Sequence, residues 1–100
     1  MDHYADLPYE KILLILKAID NQKRLMILYA LKHQAMTVNE LAVLSHASPS
    51  LTSHNLRILK DNRLVKSSIQ GRYIYYSLDD EHVAHFLLDI VEHIKEVSHD

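Results

Sequence analysis

Four side chains near the end of the sequence, Asp80, His82, His93 and Glu96, combine two imidazoles with two carboxylates. That donor set suits a tetrahedral Zn2+ site and also accepts Co2+. The spacing poses a geometric problem. The segment from about Glu81 to Val97 reads as one helix, and the eleven residues from His82 to His93 then rise about 16 Å. Each ligand must approach the ion to about 2.0–2.2 Å. One helix cannot wrap all four around one ion. Two such helices lying antiparallel can, because the start of one meets the end of the other. The pattern is therefore that of a dimer with two symmetric metal sites, each drawn from both subunits. The plain alternative is a solvated acidic helix face.

His82, His85, Asp89, His93 and Glu96 fall on one stripe at about 100° per residue. In the antiparallel pair His85 approaches Asp89 of the partner subunit. The two either orient the metal ligands or form an ion pair at the interface, and the ion pair is the simpler reading. His33 and His46 have no partner by spacing and read as surface residues.

The elements that must place these groups are legible along the chain. A first helix is expected from Pro8 to about Ile19, apolar in nearly every direction through Ile12–Leu16, which suggests burial against a partner subunit. Asp20 and Asn21 open a second helix to about His33, with Leu25, Ile27, Leu28 and Leu31 toward the core. Thr37 and Glu40 form a capping box for a third helix through Leu44. Ser48-Pro49 starts a fourth, to about Asn62. The short link Ser45–Ala47 makes the third and fourth helices a helix-turn-helix. Leu64–Ile69 and Tyr73–Leu78 are strand-like, and Gly71, the only glycine, falls at the turn between them. Asp79-Asp80-Glu81 caps the last helix. The fold expected is mainly α with a β-hairpin wing, in the order α-α-α-α-β-β-α: a winged helix-turn-helix.

On the fourth helix Thr52, Leu56 and Leu59 make a core stripe, while Ser50, Ser53, His54 and Arg57 share another face. Short hydroxyls followed by a cation suit base edges and phosphates in a major groove. Leu51 and Ile58 fit neither stripe. Lys60 and Arg72 extend the basic surface to the wing. Residues 22–72 carry eight basic and two acidic side chains, about +6, whereas residues 73–100 carry one basic and seven acidic, about −6. The middle suits a polyanion and the tail a cation. One hundred residues make a single domain, 1–100, with 1–7 and 98–100 read as flexible ends. The absence of cysteine excludes disulfides and thiolate metal sites. There is neither a membrane-length apolar run nor a signal-peptide layout, so the expectation is a cytoplasmic protein without a membrane partner.

Lys17-Ala18-Ile19, Arg24-Leu25-Met26-Ile27-Leu28, Glu40-Leu41-Ala42, Ser53-His54-Asn55-Leu56, Leu64-Val65, Gly71-Arg72 and Tyr75-Tyr76-Ser77-Leu78-Asp79 together resemble the ArsR/SmtB family of dimeric winged-helix repressors that sense metal ions. The resemblance covers about residues 10–97. It implies a homodimer through the first and last helices, a fourth helix in the major groove, and metal binding that weakens the operator complex. One subgroup places its ligands on the last helix as Asp-x-His and His-x-x-Asp/Glu/His, which Asp80, His82, His93 and Glu96 match. A cysteine-based subgroup has no counterpart in Thr37–Leu41. The resemblance further implies a hydrogen bond from His93 to a backbone carbonyl near Arg63, joining metal site to reading head. Nickel sensors of the family recruit terminal histidines, which makes His3 and His99 candidates for Ni2+, although solvated ends are the simpler reading.

The function expected is a metal-responsive repressor, not an enzyme. The apo dimer binds double-stranded operator DNA of dyad symmetry, with reading heads about 34–36 Å apart. Zn2+, or alternatively Co2+ or Ni2+, then releases genes of metal efflux or homeostasis. Because a metal needs neutral imidazole, affinity should fall below about pH 6.5. The alternative is a winged-helix repressor answering to a non-metal signal. A small metalloenzyme needs an open coordination position and a substrate cleft, and no small organic substrate is expected. A protein-interaction module would show no salt-dependent DNA binding.

Overall fold

The computed structural model describes residues 4–98; His3 and His99 lie outside them. Tyr4–Asp6 make one 3-10 turn, where the sequence suggests only a flexible end. Five helices and one hairpin follow: α1 (Tyr9–Ile19), α2 (Gln22–Leu31), α3 (Val38–Ser45), α4 (Pro49–Asp61), β1 (Val65–Gln70), β2 (Tyr73–Leu78) and α5 (Glu81–Ser98). This is the winged helix-turn-helix order expected from the sequence. Among the described residues no helix is long and apolar enough to cross a membrane.

Local chemistry sets most boundaries. Asn21 caps α2 by accepting from the Arg24 amide. Thr37 and Glu40 close the reciprocal capping box of α3. Ser48 caps α4 by accepting from the Leu51 amide, with Pro49 first in the helix, where its missing N–H costs nothing. Gly71 turns the hairpin at φ +65°, in the left-handed region that favours glycine. The strands pair antiparallel from Val65–Leu78 at the root to Gln70–Tyr73 at the tip, and Met36 bridges to Tyr76 on the far side of β2.

Two helix ends use the left-handed conformation without glycine. His46 (φ 55°) ends α3 and Arg63 (φ 57°) ends α4. In each case the next amide reaches back five residues, Ala47 to Ala42 and Leu64 to Leu59, which satisfies a terminal carbonyl. At α3 the Lys23 ammonium donates to the carbonyls of Ser45 and His46, both at 2.9 Å, placing a cation at the negative end of the helix. That sets the sharp turn between α3 and α4.

The core is a single cluster built from Ala18 of α1, Ile27, Leu28 and Leu31 of α2, Leu41 of α3, Leu56 and Leu59 of α4, Leu64 just before β1, Val65 of β1, and Leu87 of α5. Leu25, expected in it, is only half-buried. Ile58 packs against it from the side, while Leu51 is exposed. The expected burial of α1 is not met within one chain: of its residues only Ala18 is buried, and Ile12 through Leu16 all remain exposed. Phe86, Leu88, Ile94 and Val97 of α5 are exposed as well.

Candidate DNA-reading and metal-binding surfaces

The candidate reading face is the outer side of α4. Thr52, Asn55, Leu56 and Leu59 turn inward, which leaves Ser50, Ser53, His54 and Arg57 outward and exposed on one side of the helix. The polar stripe read from the sequence is therefore presented to solvent as a unit. Arg72 is exposed at the hairpin turn. Lys60 is engaged in part: its ammonium donates to Ser67 Oγ at 2.8 Å and ties the wing to α4.

Beneath that face lies a polar link that the sequence reading missed. The Arg24 guanidinium donates through Nε to the Ala18 carbonyl at 2.6 Å and through Nη1 to Asn55 Oδ1 at 3.2 Å. Asn55 is buried on the inner side of α4. A polar residue beside the Thr52–Leu56–Leu59 stripe is the available signal, since a buried amide needs a partner.

The metal-ligand candidates are all on or next to α5. Asp80 precedes the helix, and its Oδ1 accepts from the Val83 amide at 3.1 Å, so it caps α5 with one oxygen and keeps the other. His82 lines a 300 Å3 apolar cleft between α1 and α5, together with Ile12, Ile15, Leu64 and Phe86. His93 and Glu96 are exposed near the other end of α5, as are His85 and Asp89 between them. Among the described residues no three His, Cys, Asp or Glu side chains converge into a group that could hold a metal. One chain thus does not gather the four, in keeping with the rise of a single helix. Arg63 adjoins Leu64, which places it near His82 and at the opposite end of α5 from His93 of the same chain.

Among known proteins, residues 21–67 match the family model described as bacterial regulatory protein, arsR family. The chain is similar to a transcriptional repressor SmtB homolog of Synechocystis, 40% identical over 79% of this chain and 60% of that protein. It is also similar to a cadmium resistance transcriptional regulatory protein CadC homolog of Staphylococcus aureus, 34% identical over 84% of this chain and 70% of that one. It thus spans 60% of the length of the Synechocystis relative. A solved homodimeric winged helix-turn-helix DNA-binding domain from Mycobacterium bovis superposes with a TM-score of 0.85 at 26% identity, covering 100% of this chain and 94% of that one. With the fold, the reading helix and these relatives in agreement, the chain belongs to the arsR family of bacterial transcriptional regulators.

Proposed function

We propose that the chain is a metal-responsive repressor: a homodimer joined through α1 and α5 that binds operator DNA of dyad symmetry through its two α4 helices and leaves it when a divalent metal binds. The observation that carries this reading is on α5. Asp80 at its start and His82, His93 and Glu96 along it are all exposed, and the same helix bears the uncovered Phe86, Ile94 and Val97. Together with Ile12–Leu16 of α1 these make an apolar surface of the kind that a second subunit covers. An antiparallel meeting of two α5 helices brings Asp80 and His82 of one chain to His93 and Glu96 of the partner subunit.

The residues fit such an ion. Two imidazoles and two carboxylates favour Zn2+, with Co2+ and Ni2+ as alternatives. The cadmium in the name of the Staphylococcus relative does not transfer simply, because this chain has no thiolate to offer. A bound metal supplies a cross-link between subunits. The protein would supply the rest: the family resemblance pairs His93 of the partner subunit with the chain near Arg63, at the end of α4, and Leu64 beside Arg63 shares a cleft with His82. The second ring nitrogen of the partner's His93 is then placed to donate to a carbonyl there, which ties dimer geometry to the attitude of α4. His85 and Asp89 fall between the two sites, as an intersubunit ion pair. By linkage DNA weakens metal binding by the same free energy that metal removes from DNA binding, typically about 1–3 kcal/mol. The genes controlled would be those of metal efflux or homeostasis, and the protein would work in the cytoplasm.

The test is an operator titration with and without buffered Zn2+. A lower affinity with metal supports the reading. Equal affinities would leave a repressor that answers to a non-metal signal.

A further inference from the structure

α5 turns its core side inward at Leu87, which is fully buried, with Val83, Ile90 and Val91 half-buried around it. His85 and Asp89 stand two residues before and two residues after Leu87. At about 100° per residue each lies about 160° around the helix from it. The two therefore flank the outermost line of α5, and both are exposed. Side chains four apart on a helix are neighbours, with Cβ atoms about 5–6 Å apart, and can close on one ion. Two donors do not complete a metal site, and among the described residues no third converges on them.

The antiparallel register of two α5 helices fixes what meets this pair. With His82 opposite His93 of the partner subunit, the two-fold axis passes between Leu87 and Leu88. The outer ligands His82 and His93 then lie about 8 Å to either side of the axis along the helix. His85 and Asp89 are instead centred within one residue of it. Two imidazoles and two carboxylates, one of each from either subunit, thus gather at the axis. Helical bundles build metal sites from facing helices in this way. Charge points in the same direction. Asp80 and α5 together carry five acidic side chains and one basic. Two such helices side by side bear about −8, and divalent ions in the two outer sites offset half of it.

We propose that the α5 pair holds a third divalent metal ion on the two-fold axis, bound by His85 and Asp89 of both subunits. The proposal rests on the antiparallel metal-binding dimer and adds one site to it. The donor set suits Zn2+ or Co2+. The crossed His85–Asp89 ion pairs are the metal-free form of the site. A cation must displace them and needs neutral imidazole, so the axial site fills after the outer two. Its ligands come equally from both chains, so it closes only in the dimer and takes half an ion per chain.

The experiment counts Co2+ per dimer by equilibrium dialysis and by the tetrahedral visible absorption. It uses full chains carrying His3→Ala/His99→Ala, which removes the terminal histidines as adventitious ligands. Sedimentation checks that every variant is a dimer. The expected result is three ions in this parent, two in His85→Ala/Asp89→Ala, and one in His93→Ala/Glu96→Ala. His85→Gln/Asp89→Asn, which keeps polar side chains of similar size, serves if the alanine variant does not dimerise. Two ions in the parent, unchanged by His85→Ala/Asp89→Ala, overturn the proposal and leave the outer sites standing, with the four groups as ion pairs only. One ion in the parent, lost in His85→Ala/Asp89→Ala and kept in His93→Ala/Glu96→Ala, supports the axial site and ends the reading of the outer ones. A parent dimer that binds no Co2+ ends both.

Discussion

Arg24 reaches Asn55 across the interior, its Nη1 3.2 Å from the amide oxygen, while its Nε holds the Ala18 carbonyl at 2.6 Å. One guanidinium thereby joins the end of α1, whose apolar face is uncovered, to the inner side of α4, whose outer side carries the candidate reading stripe. The planar fork suits two acceptors held at a fixed angle, which an ammonium does not reproduce. Arg24→Ala leaves the buried Asn55 oxygen and the Ala18 carbonyl without this donor. The expected cost is about 1–3 kcal/mol per buried group left unpaired, read as a lower urea midpoint at fixed protein concentration. Arg24→Lys should fall between the two. A variant as stable as wild type would mean that water replaces the guanidinium and that the link is incidental.

A site shared between subunits has a signature that no single-chain site can give. Asp80→Ala/His82→Ala chains and His93→Ala/Glu96→Ala chains should each form dimers without high-affinity metal binding. Mixed and allowed to exchange, they form heterodimers in which one site has lost all four ligands and the other has kept all four. The expected outcome is recovery of one metal per heterodimer, seen as the tetrahedral Co2+ absorption spectrum. No recovery in a confirmed heterodimer would mean that the ligands come from one chain or lie elsewhere.

Most of the helix starts were legible because they are written locally. Thr37 with Glu40, Ser48 with Pro49, and Gly71 at the hairpin each need only neighbours within three residues. The left-handed ends at His46 and Arg63 were not legible, since neither residue type announces a positive φ. At α3 the turn is held by Lys23, twenty-two residues from Ser45, whose carbonyl it grips. The Arg24–Asn55 link was hidden for the same reason. In the sequence Arg24 counted as charge and as part of the family resemblance, and Asn55 as part of that resemblance alone, with nothing to pair them. The candidate metal ligands could be named by type and spacing, but their meeting depends on a second copy of the chain. The exposure of Ile12–Leu16 has the same origin: a helix apolar on every side has no buried solution within one hundred residues.

Asp80 caps α5 and stands in the proposed metal site, and one substitution can separate the two. Its Oδ1 caps α5 through the Val83 amide, and the proposed metal site draws on the same carboxylate. Asn caps helices about as well as Asp, whereas Ala does not, at a cost of about 0.5–2 kcal/mol. Asp80→Asn is therefore expected to keep stability near wild type while weakening metal binding. Asp80→Ala should lose both. Urea unfolding of the apo protein and competition with a zinc chelator read the two effects independently. Equal metal affinity in Asp80→Asn would remove Asp80 from the ligand set and leave it as a cap only.

Thr52 offers the reverse case, a polar group whose removal should help. It lies on the core side of α4, fully buried, and its Oγ1 has no hydrogen-bond partner. A buried hydroxyl without a partner costs about 1–3 kcal/mol, and nothing in the reading stripe depends on it. Valine keeps the branched shape and replaces the hydroxyl with a methyl, and the two residues have similar helix propensity. Thr52→Val is expected to raise stability by about 1 kcal/mol, seen as a higher urea midpoint with unchanged m-value, and to leave DNA affinity alone because the side chain never meets solvent. Lower stability would show that the hydroxyl has a partner after all, such as a buried water. Changed DNA affinity at higher stability would instead mean that packing under α4 sets the attitude of that helix, which the Arg24 variants would then share.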